Sequence, residues 1–220
     1  MIFDDNNCIN LIDNKEYNLD RIPNELKVST ITVSFIVNCI IDYDNIFNID
    51  NKIINNETII IEKNKKKNSF SVFIGKKRGN SKLANIKSNN IIQILGCKNF
   101  KEINNKLNKL LFILKNYNVI YEKLENIPIT KLYYEYISLN FKMDYSFENS
   151  EYLNLYESIK KNYDFVKYDP IECPVLKFIS NGILIYIFKN GNIMMIICSN
   201  VQLNKLKSVF SSIKNIFNNK

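Results

Sequence analysis

The chain has 220 residues and a formal charge of +8, and its 46% hydrophobic and 24% charged residues are typical of a globular protein. The absence of histidine excludes imidazole acid–base catalysis and histidine metal sites. No run of about 18 apolar residues is present, and the five cysteines are widely spaced without a CxxC motif, so neither a membrane span nor a zinc site is expected. We therefore expect a soluble intracellular protein with buried thiols and no cofactor, and not an enzyme.

The first part of the chain predicts a loose arm followed by strands. Residues 1–27 are polar and are interrupted by Pro23. From Val28 to Ile41 apolar residues alternate with Thr and Ser, which is typical of a strand with one buried and one exposed face. Residues 42–68 are rich in Asn, Asp and Lys and form an insertion. Further strands are predicted at 69–74, 83–87 and 91–95.

After these strands the apolar pattern changes to the period of a helix. From Phe100 to Leu114 apolar residues recur at intervals of three and four, with lysines outside the stripe. A linker around Pro128 leads to a Tyr-rich strand at 133–145 and a polar, helix-like stretch near 150–162. A second amphipathic helix, carrying apolar residues from 203 to 217, ends the sequence. Strands are predicted between these helices at 175–179, 183–188 and 192–198.

The two halves of the chain resemble each other at an offset of 101 residues. The matching residues lie in a hairpin that is followed directly by a long amphipathic helix. The offset places Ile86, Asn89, Ile92, Cys97 and Asn99 onto Ile187, Asn190, Ile193, Cys198 and Asn200. We therefore predict an α+β fold of two pseudo-symmetric repeats, each a curved antiparallel sheet with a long helix on one face. The predicted parts are an arm at 1–27, repeat 1 at 28–118, a linker at 119–131 and repeat 2 at 132–220.

Three stretches resemble the TATA-box-binding protein (TBP) family. Residues 28–32 read VSTIT, where a TBP repeat begins with V-S-T-V-N. Residues 168–176 read YDPIECPVL, similar to Y-E-P-E-L-F-P-G-L of the second TBP repeat. Residues 185–198 read IYIFKNGNIMMIIC, similar to the L-I-F-x-S-G-K-I-V-x-T-G-A-K that precedes a TBP long helix. The resemblance implies the TBP saddle, an open sheet with the long helices on its convex face.

The resemblance also implies DNA binding in the minor groove. In that family apolar side chains on the concave sheet insert between base steps and kink the duplex, and TBP is itself a standard example of this mechanism. Phe70 and Phe188 match two of the four wedge positions, and Lys87 and Cys173 occupy the other two. The predicted groove-facing residues of the first strand are Thr30, Thr32 and Ser34. The predicted phosphate-binding rim contains Lys63, Lys65, Lys66, Lys67, Lys76, Lys77 and Arg78.

The same resemblance implies protein partners. Asp169 and Glu172 lie in the loop through which the family binds one general transcription factor. A basic helix surface that meets another such factor corresponds to Lys101, Lys106 and Lys109. We therefore expect a divergent TBP-like initiation factor that binds A/T-rich double-stranded DNA and recruits general transcription factors and RNA polymerase. It would act in the nucleus, or in the cytoplasm or virion of a large DNA virus, without a membrane or a small-molecule substrate.

Two other interpretations stay open on the residues. Lys87 and Cys173 at wedge positions, with Ile196 and Ile197 in place of the family's T-G, favour a TBP-like scaffold that has lost specific DNA binding and acts through protein–protein interaction. A curved sheet around a C-terminal helix is also the plan of helix-grip lipid- or ligand-binding domains, which enclose an apolar cavity.

Overall fold

The computed structural model describes residues 19–54, 56–64, 69–75, 80–87, 90–121 and 129–218. These residues form the α+β fold that the sequence predicted, with antiparallel strands paired in sheets and three α-helices. The helices are α1 (Phe100–Asn116), α2 (Asn149–Asn162) and α3 (Asn200–Asn218). The strands are β1 (Lys27–Val37), β2 (Ile53–Ile54), β3 (Glu57–Asn64), β4 (Ser69–Gly75), β5 (Asn80–Lys87), β6 (Ile91–Cys97), β7 (Ile129–Lys142), β8 (Asp164–Asp169), β9 (Cys173–Ser180), β10 (Ile183–Ile187) and β11 (Asn192–Ile197).

The described chain divides into two compact units, and the divisions fall within β1 and β7. The first unit contains residues 31–135, and the second contains residues 19–30 and 136–218. The repeat boundaries at 28–118 and 132–220 stay a prediction. No helix in the described part of the chain combines the length and the apolar character that a membrane crossing requires.

In the first unit the strand order is β2-β3-β4-β5-β6-β1, and one face of this sheet packs against α1. Alternate residues of the strands are buried on that side, among them Val72, Ile86 and Ile92. They face the apolar stripe of the helix, whose buried residues include Ile103, Leu107, Leu110, Leu111, Ile113 and Leu114. Helix α1 begins after Asn99, whose side chain accepts the N–H of Glu102 at 2.9 Å and so satisfies one of the open backbone donors.

In the second unit the strand order is β7-β11-β10-β9-β8, and α3 covers one face. Ile185 on β10 and Met195 on β11 are fully buried on this side. The ring of Phe141 on β7 meets the ring of Phe210 on α3 edge-on, with 5.2 Å between the centroids. The buried stripe of α3 consists of Leu203, Leu206, Val209, Phe210 and Ile213.

Helix α2 is tied to this second sheet by a buried tyrosine. The hydroxyl of Tyr152 donates to the carbonyl of Ile187 and accepts the N–H of Leu176 at 2.7 Å. The helix begins with a capping box, in which the side chains of Glu148 and Glu151 each accept a backbone N–H of the first turn. One side chain therefore satisfies two backbone groups of β10 and β9 while it fills the core.

The hairpins of the two units have the same register at the offset of 101. Ile86 stands opposite Ile92 in the β5–β6 hairpin, and Ile187 stands opposite Ile193 in the β10–β11 hairpin. The turn residue before the second strand has a positive φ in both, 57° at Asn90 and 81° at Gly191. The repeat that the sequence suggested through a few identities is thus present in the backbone pairing of these hairpins.

Candidate nucleic-acid interface

Each sheet has a face opposite its long helix, which we name open face 1 in the first unit and open face 2 in the second. Side chains alternate along a strand, so the residues between the buried ones lie on the open face. On open face 2, Tyr186 stands between Lys177 and Met194, and Met194 stands opposite Asn140. The Nζ of Lys177 lies 5.6 Å from the centre of the Tyr186 ring. A partly exposed ring beside a cation is the combination by which proteins stack on bases and hold phosphates.

Phe188 lies on open face 2 at the end of the β10–β11 hairpin, where its side chain is half-buried. Its N–H donates to the carbonyl of Asn192 at 2.8 Å, and its carbonyl accepts the N–H of Gly191 at 3.0 Å, so the turn is tight. A cavity of about 410 Å³ adjoins the ring. Its lining includes Lys27, Asn140, Lys142, Phe188 and Asn192. This position suits a side chain that inserts between bases, and the wedge role of Phe188 stays a prediction.

The turn that carries Phe188 is braced by the segment after β7. The N–H of Met143 donates to the carbonyl of Gly191 at 3.0 Å, and the N–H of Phe147 donates to the carbonyl of Lys189 at 2.8 Å. Gly191 has φ 81°, and a Cβ atom there would lie 1.9 Å from the carbonyl oxygen of Tyr145. Only glycine permits this close approach of two backbone segments, so the ring of Phe188 is held on a rigid turn.

Open face 1 carries a ladder of polar side chains. The hydroxyl of Ser71 donates to the Oδ1 of Asn85 at 2.9 Å, and the Nδ2 of Asn85 donates to the Oε1 of Gln93 at 2.7 Å. These residues stand opposite one another on β4, β5 and β6, and Gln93 stands opposite Ser34 on β1. This part of open face 1 therefore presents polar side chains instead of apolar ones, and their hydrogen-bonding groups are already paired with one another.

The ladder ends on a carboxylate. The Oε1 of Glu135 accepts the hydroxyl of Ser34 at 2.6 Å and lies 3.2 Å from the Nζ of Lys87. The Ser34 hydroxyl, followed by the ammonium of Lys87, holds the pKa of Glu135 below its ordinary value despite partial burial. Lys87, predicted at a wedge position, is therefore one member of an ion pair. Within the described ranges no three Cys, Asp or Glu side chains stand together as metal ligands would.

Phe70 belongs to the core, and the prediction that it is an exposed wedge is wrong. Its side chain is only 6% exposed, and it stands opposite buried Ile86 on the helix side of the sheet. The ring packs edge-on against Phe47 with centroids 5.2 Å apart and lies 6.3 Å from the ring of Tyr43. The Nζ of Lys63, from the predicted rim, lies 5.8 Å from the same ring. The ring cannot reach DNA without leaving these neighbours.

The groove-facing residues predicted on β1 are mostly covered. Thr32 is 1% exposed and Ser34 is 0% exposed, whereas Thr30 is partly exposed. Ser34 is occupied by its hydrogen bond to Glu135. The prediction that these two side chains form an accessible surface is therefore wrong, because a buried hydroxyl cannot meet a base edge.

Several predicted DNA contacts lie outside the described residues. These are Lys65, Lys66, Lys67, Lys76, Lys77 and Arg78. Cys173 begins β9 and pairs through its backbone with Asp169, but its side chain also lies outside the described part. The rim and the third wedge position thus stay predictions.

The predicted partner loop forms a defined turn. The Oδ1 of Asp169 accepts the N–H of Glu172 at 2.9 Å and the N–H of Ile171 at 2.8 Å, and these two bonds lower the pKa of Asp169. Glu172 is exposed. Ile171 between them is 90% exposed, and sequence reasoning missed it because it looked only for charged residues. Asp169 therefore shapes the loop, while Ile171 and Glu172 form its surface.

The predicted basic surface of α1 is smaller than expected. Lys101 is exposed. Lys106 donates to the carbonyl of Leu95 at 2.6 Å, and Lys109 forms an ion pair with Glu57 on β3. Two of the three predicted lysines are thus partly occupied within their own unit.

Comparisons with known proteins identify the fold. No family model matches the sequence, and no curated protein matches it. Solved structures do match, among them TBP of Methanococcus jannaschii, with a TM-score of 0.56 and 16% identity over 87% of this chain and 99% of that chain. The chain has a TBP-like fold. The strand orders and this likeness favour that fold over the helix-grip alternative.

Proposed function

We propose that this protein is a divergent TBP-like initiation factor that binds A/T-rich double-stranded DNA, mainly through open face 2, and recruits general transcription factors and RNA polymerase. It acts by binding and not by catalysis. The proposal is supported by the TBP-like fold together with one observation: Phe188 is half-buried on open face 2, on a braced turn, beside a cavity whose lining includes Lys27, Lys142 and Glu25.

The chemistry of open face 2 suits a duplex. A flat apolar ring can insert between base pairs that a kink has unstacked, and the bend then permits more contacts with the protein. Lys142 and Lys177 supply charge for phosphates, and Asn140 supplies an amide donor for the acceptors of A·T pairs in the minor groove.

Binding of a fluorescent duplex tests the proposal. A TATA-containing duplex and a scrambled duplex are each titrated at low and at near-physiological salt. We expect tighter binding to the TATA duplex and a steep loss of affinity with salt. Phe188→Ala should weaken binding by at least about 1 kcal/mol, or about fivefold in Kd, the lower value of one base–aromatic stack.

The matched control is Leu153→Ala, which removes an exposed apolar side chain from α2. It should leave the Kd within about twofold of the unaltered protein, because surface substitutions outside an interface change free energies by only about 0.5 kcal/mol. Equal affinity of the protein and its Phe188→Ala variant would refute the wedge role. A folded protein that binds neither duplex would refute the proposed function.

A TBP-like scaffold without DNA binding is the second candidate. Ile171 is 90% exposed and Phe165 on β8 is 80% exposed. Exposed apolar side chains mark protein–protein interaction sites where they form one patch. This candidate predicts a complex with a general transcription factor that is insensitive to salt and is lost on Ile171→Asp. Duplex binding that Ile171→Asp leaves intact would favour the first candidate instead.

A further inference from the structure

We propose that the protein inserts a side chain into DNA from the second unit only, and that its target is therefore a duplex with one deformable base step. The proposal rests on the proposed function and deepens it. It follows from a comparison of the two hairpins, whose described strands pair in the same register and which carry Lys87 and Phe188 at equivalent positions.

The two positions are equivalent in the backbone. Lys87 stands opposite Ile91 at the end of the β5–β6 hairpin, one pair beyond Ile86 and Ile92. Phe188 stands in the same place in the second unit, since its N–H donates to the carbonyl of Asn192 at 2.8 Å. Both side chains lie on an open face immediately before the turn.

Lys87, the side chain at this position in the first unit, cannot serve as a wedge. The Nζ of Lys87 lies 3.2 Å from the Oε1 of Glu135, and insertion between bases would separate this ion pair. An ammonium group also has no flat apolar surface that could replace base stacking. Glu135 itself is an acceptor, and the floor of the minor groove at A·T pairs presents only acceptors. The β5–β6 hairpin therefore meets DNA without inserting a side chain.

Strand β4 carries two aromatic rings that must be considered as replacements. Phe70 is in the core beside Phe47. Phe73 is half-buried on open face 1, in the middle of β4 and away from the hairpin turn, and the Nζ of Lys82 lies 5.5 Å from its ring centre. Phe73 thus lies away from the hairpin turn, whereas Phe188 stands immediately before a turn and beside a cavity.

The second unit has what insertion requires. The ring of Phe188 is held by a turn that Met143 and Phe147 brace through backbone hydrogen bonds. Pyrimidine–purine steps such as TA unstack most easily, so the sequence that a single wedge selects is one such step in an otherwise A/T-rich duplex. A second step offers no further gain, because none of the described side chains of the β5–β6 hairpin provides a second wedge.

The test compares three fluorescent A/T-rich duplexes of equal length with no TA step, one TA step and two separated TA steps. We expect the one-step duplex to bind at least about fivefold more tightly than the duplex without a step, and the second step to change the Kd by less than about twofold. With 2-aminopurine beside each step, unstacking removes quenching, and the fluorescence increases at the two positions should together equal the increase at the single step of the one-step duplex, because each bound protein unstacks one step.

Three variants test which side chain produces the preference for a TA step. Phe188→Ala should abolish the preference for the one-step duplex, and Phe73→Ala should keep it. Lys87→Phe should supply a second wedge for the second TA step, so that the two-step duplex binds about fivefold more tightly than the one-step duplex. Circular dichroism of each variant verifies the fold.

The outcomes separate the two proposals. A full fluorescence increase at both positions of the two-step duplex with the unaltered protein, a gain of about fivefold from the second step, or loss of the preference in Phe73→Ala would each overturn the one-sided insertion while DNA binding stands. Binding without preference among the three duplexes would overturn it as well. No binding to any duplex by the folded protein would overturn the proposed function and this inference with it.

Discussion

Gly191→Ala tests whether the turn that carries Phe188 depends on the close approach of two backbone segments. The new Cβ atom would lie 1.9 Å from the carbonyl oxygen of Tyr145 and 3.0 Å from the carbonyl oxygen of Met143. Neither neighbour is a flexible side chain, so the backbone itself must move. The residue also has φ 81°, which alanine adopts only with strain.

The expected cost is the sum of two effects. The left-handed conformation costs alanine about 1–2 kcal/mol. Moving the two segments apart weakens the hydrogen bond from Met143 to Gly191 and the one from Phe147 to Lys189, each of which contributes about 1 kcal/mol. We therefore expect the free energy of unfolding to fall by about 3–4 kcal/mol, a large part of the roughly 5–15 kcal/mol of a typical domain.

Gly182→Ala is the matched control, because Gly182 also has φ 81°. The nearest atom to its new Cβ would be the Nε2 of Gln202 at 3.1 Å, the end of a side chain that donates to the carbonyl of Gly182 at 2.7 Å. This variant should lose the conformational part, about 1–2 kcal/mol, and no more than that one hydrogen bond, about 1 kcal/mol. Urea denaturation followed by circular dichroism measures both. A Gly191→Ala protein within about 0.5 kcal/mol of the Gly182→Ala protein would refute the role of the close approach.

Two further substitutions test buried polar contacts. Tyr152→Phe should lower the free energy of unfolding by about 2 kcal/mol in urea, because two buried backbone groups lose their partner, whereas the control Tyr156→Phe, at a partly exposed ring, should cost less than about 0.5 kcal/mol. The contacts that lower the pKa of Glu135 stabilise the folded protein at pH values above the ordinary pKa of 4.5. This stabilisation is lost as the pH falls through the lower pKa that Glu135 has in the folded protein. Glu135→Gln should therefore flatten the stability profile below about pH 4.5, and an unchanged profile would contradict the assigned contacts.

The elements with a strict period could be predicted from the sequence, and the others could not. The stripe of α1 and the alternation of β1 indicated their structure because the buried face repeats without interruption. Strand β8 reads DFVKYD without alternation, and Phe165 within it has φ 56°, which breaks the register with β9. The Asn-rich stretch at 42–68 was interpreted as an insertion, but it contains strands β2 and β3 of the first sheet and a 3-10 helix at Asn45–Ile49. Two buried isoleucines three residues apart are too few to define a period.

The candidate site was harder to predict because a motif aligns residues without showing which face they occupy. A shift of one residue moves a strand's side chain from the open face to the core. In SFSVFIG the apolar residues Phe70, Val72 and Ile74 alternate with Ser69, Ser71 and Phe73. That alternation alone places Phe70 in the core, as the structure does. Residues 183–188 are all apolar, so it is the burial of alternate residues in the structure that places Tyr186 and Phe188 on the open side of β10.

The two open faces show how one repeated backbone can carry two kinds of surface. In both hairpins the last residue before the turn lies on the open face, so it is excluded from the packing against the long helix. The helix-side residues preserve the fold, because their removal would leave cavities in the core. The open-face residues carry no such constraint. Open face 2 has a ring beside cations, and open face 1 has an ion pair and an amide ladder. These surfaces differ only at alternate residues of a few strands. The register that the two units share is therefore unchanged.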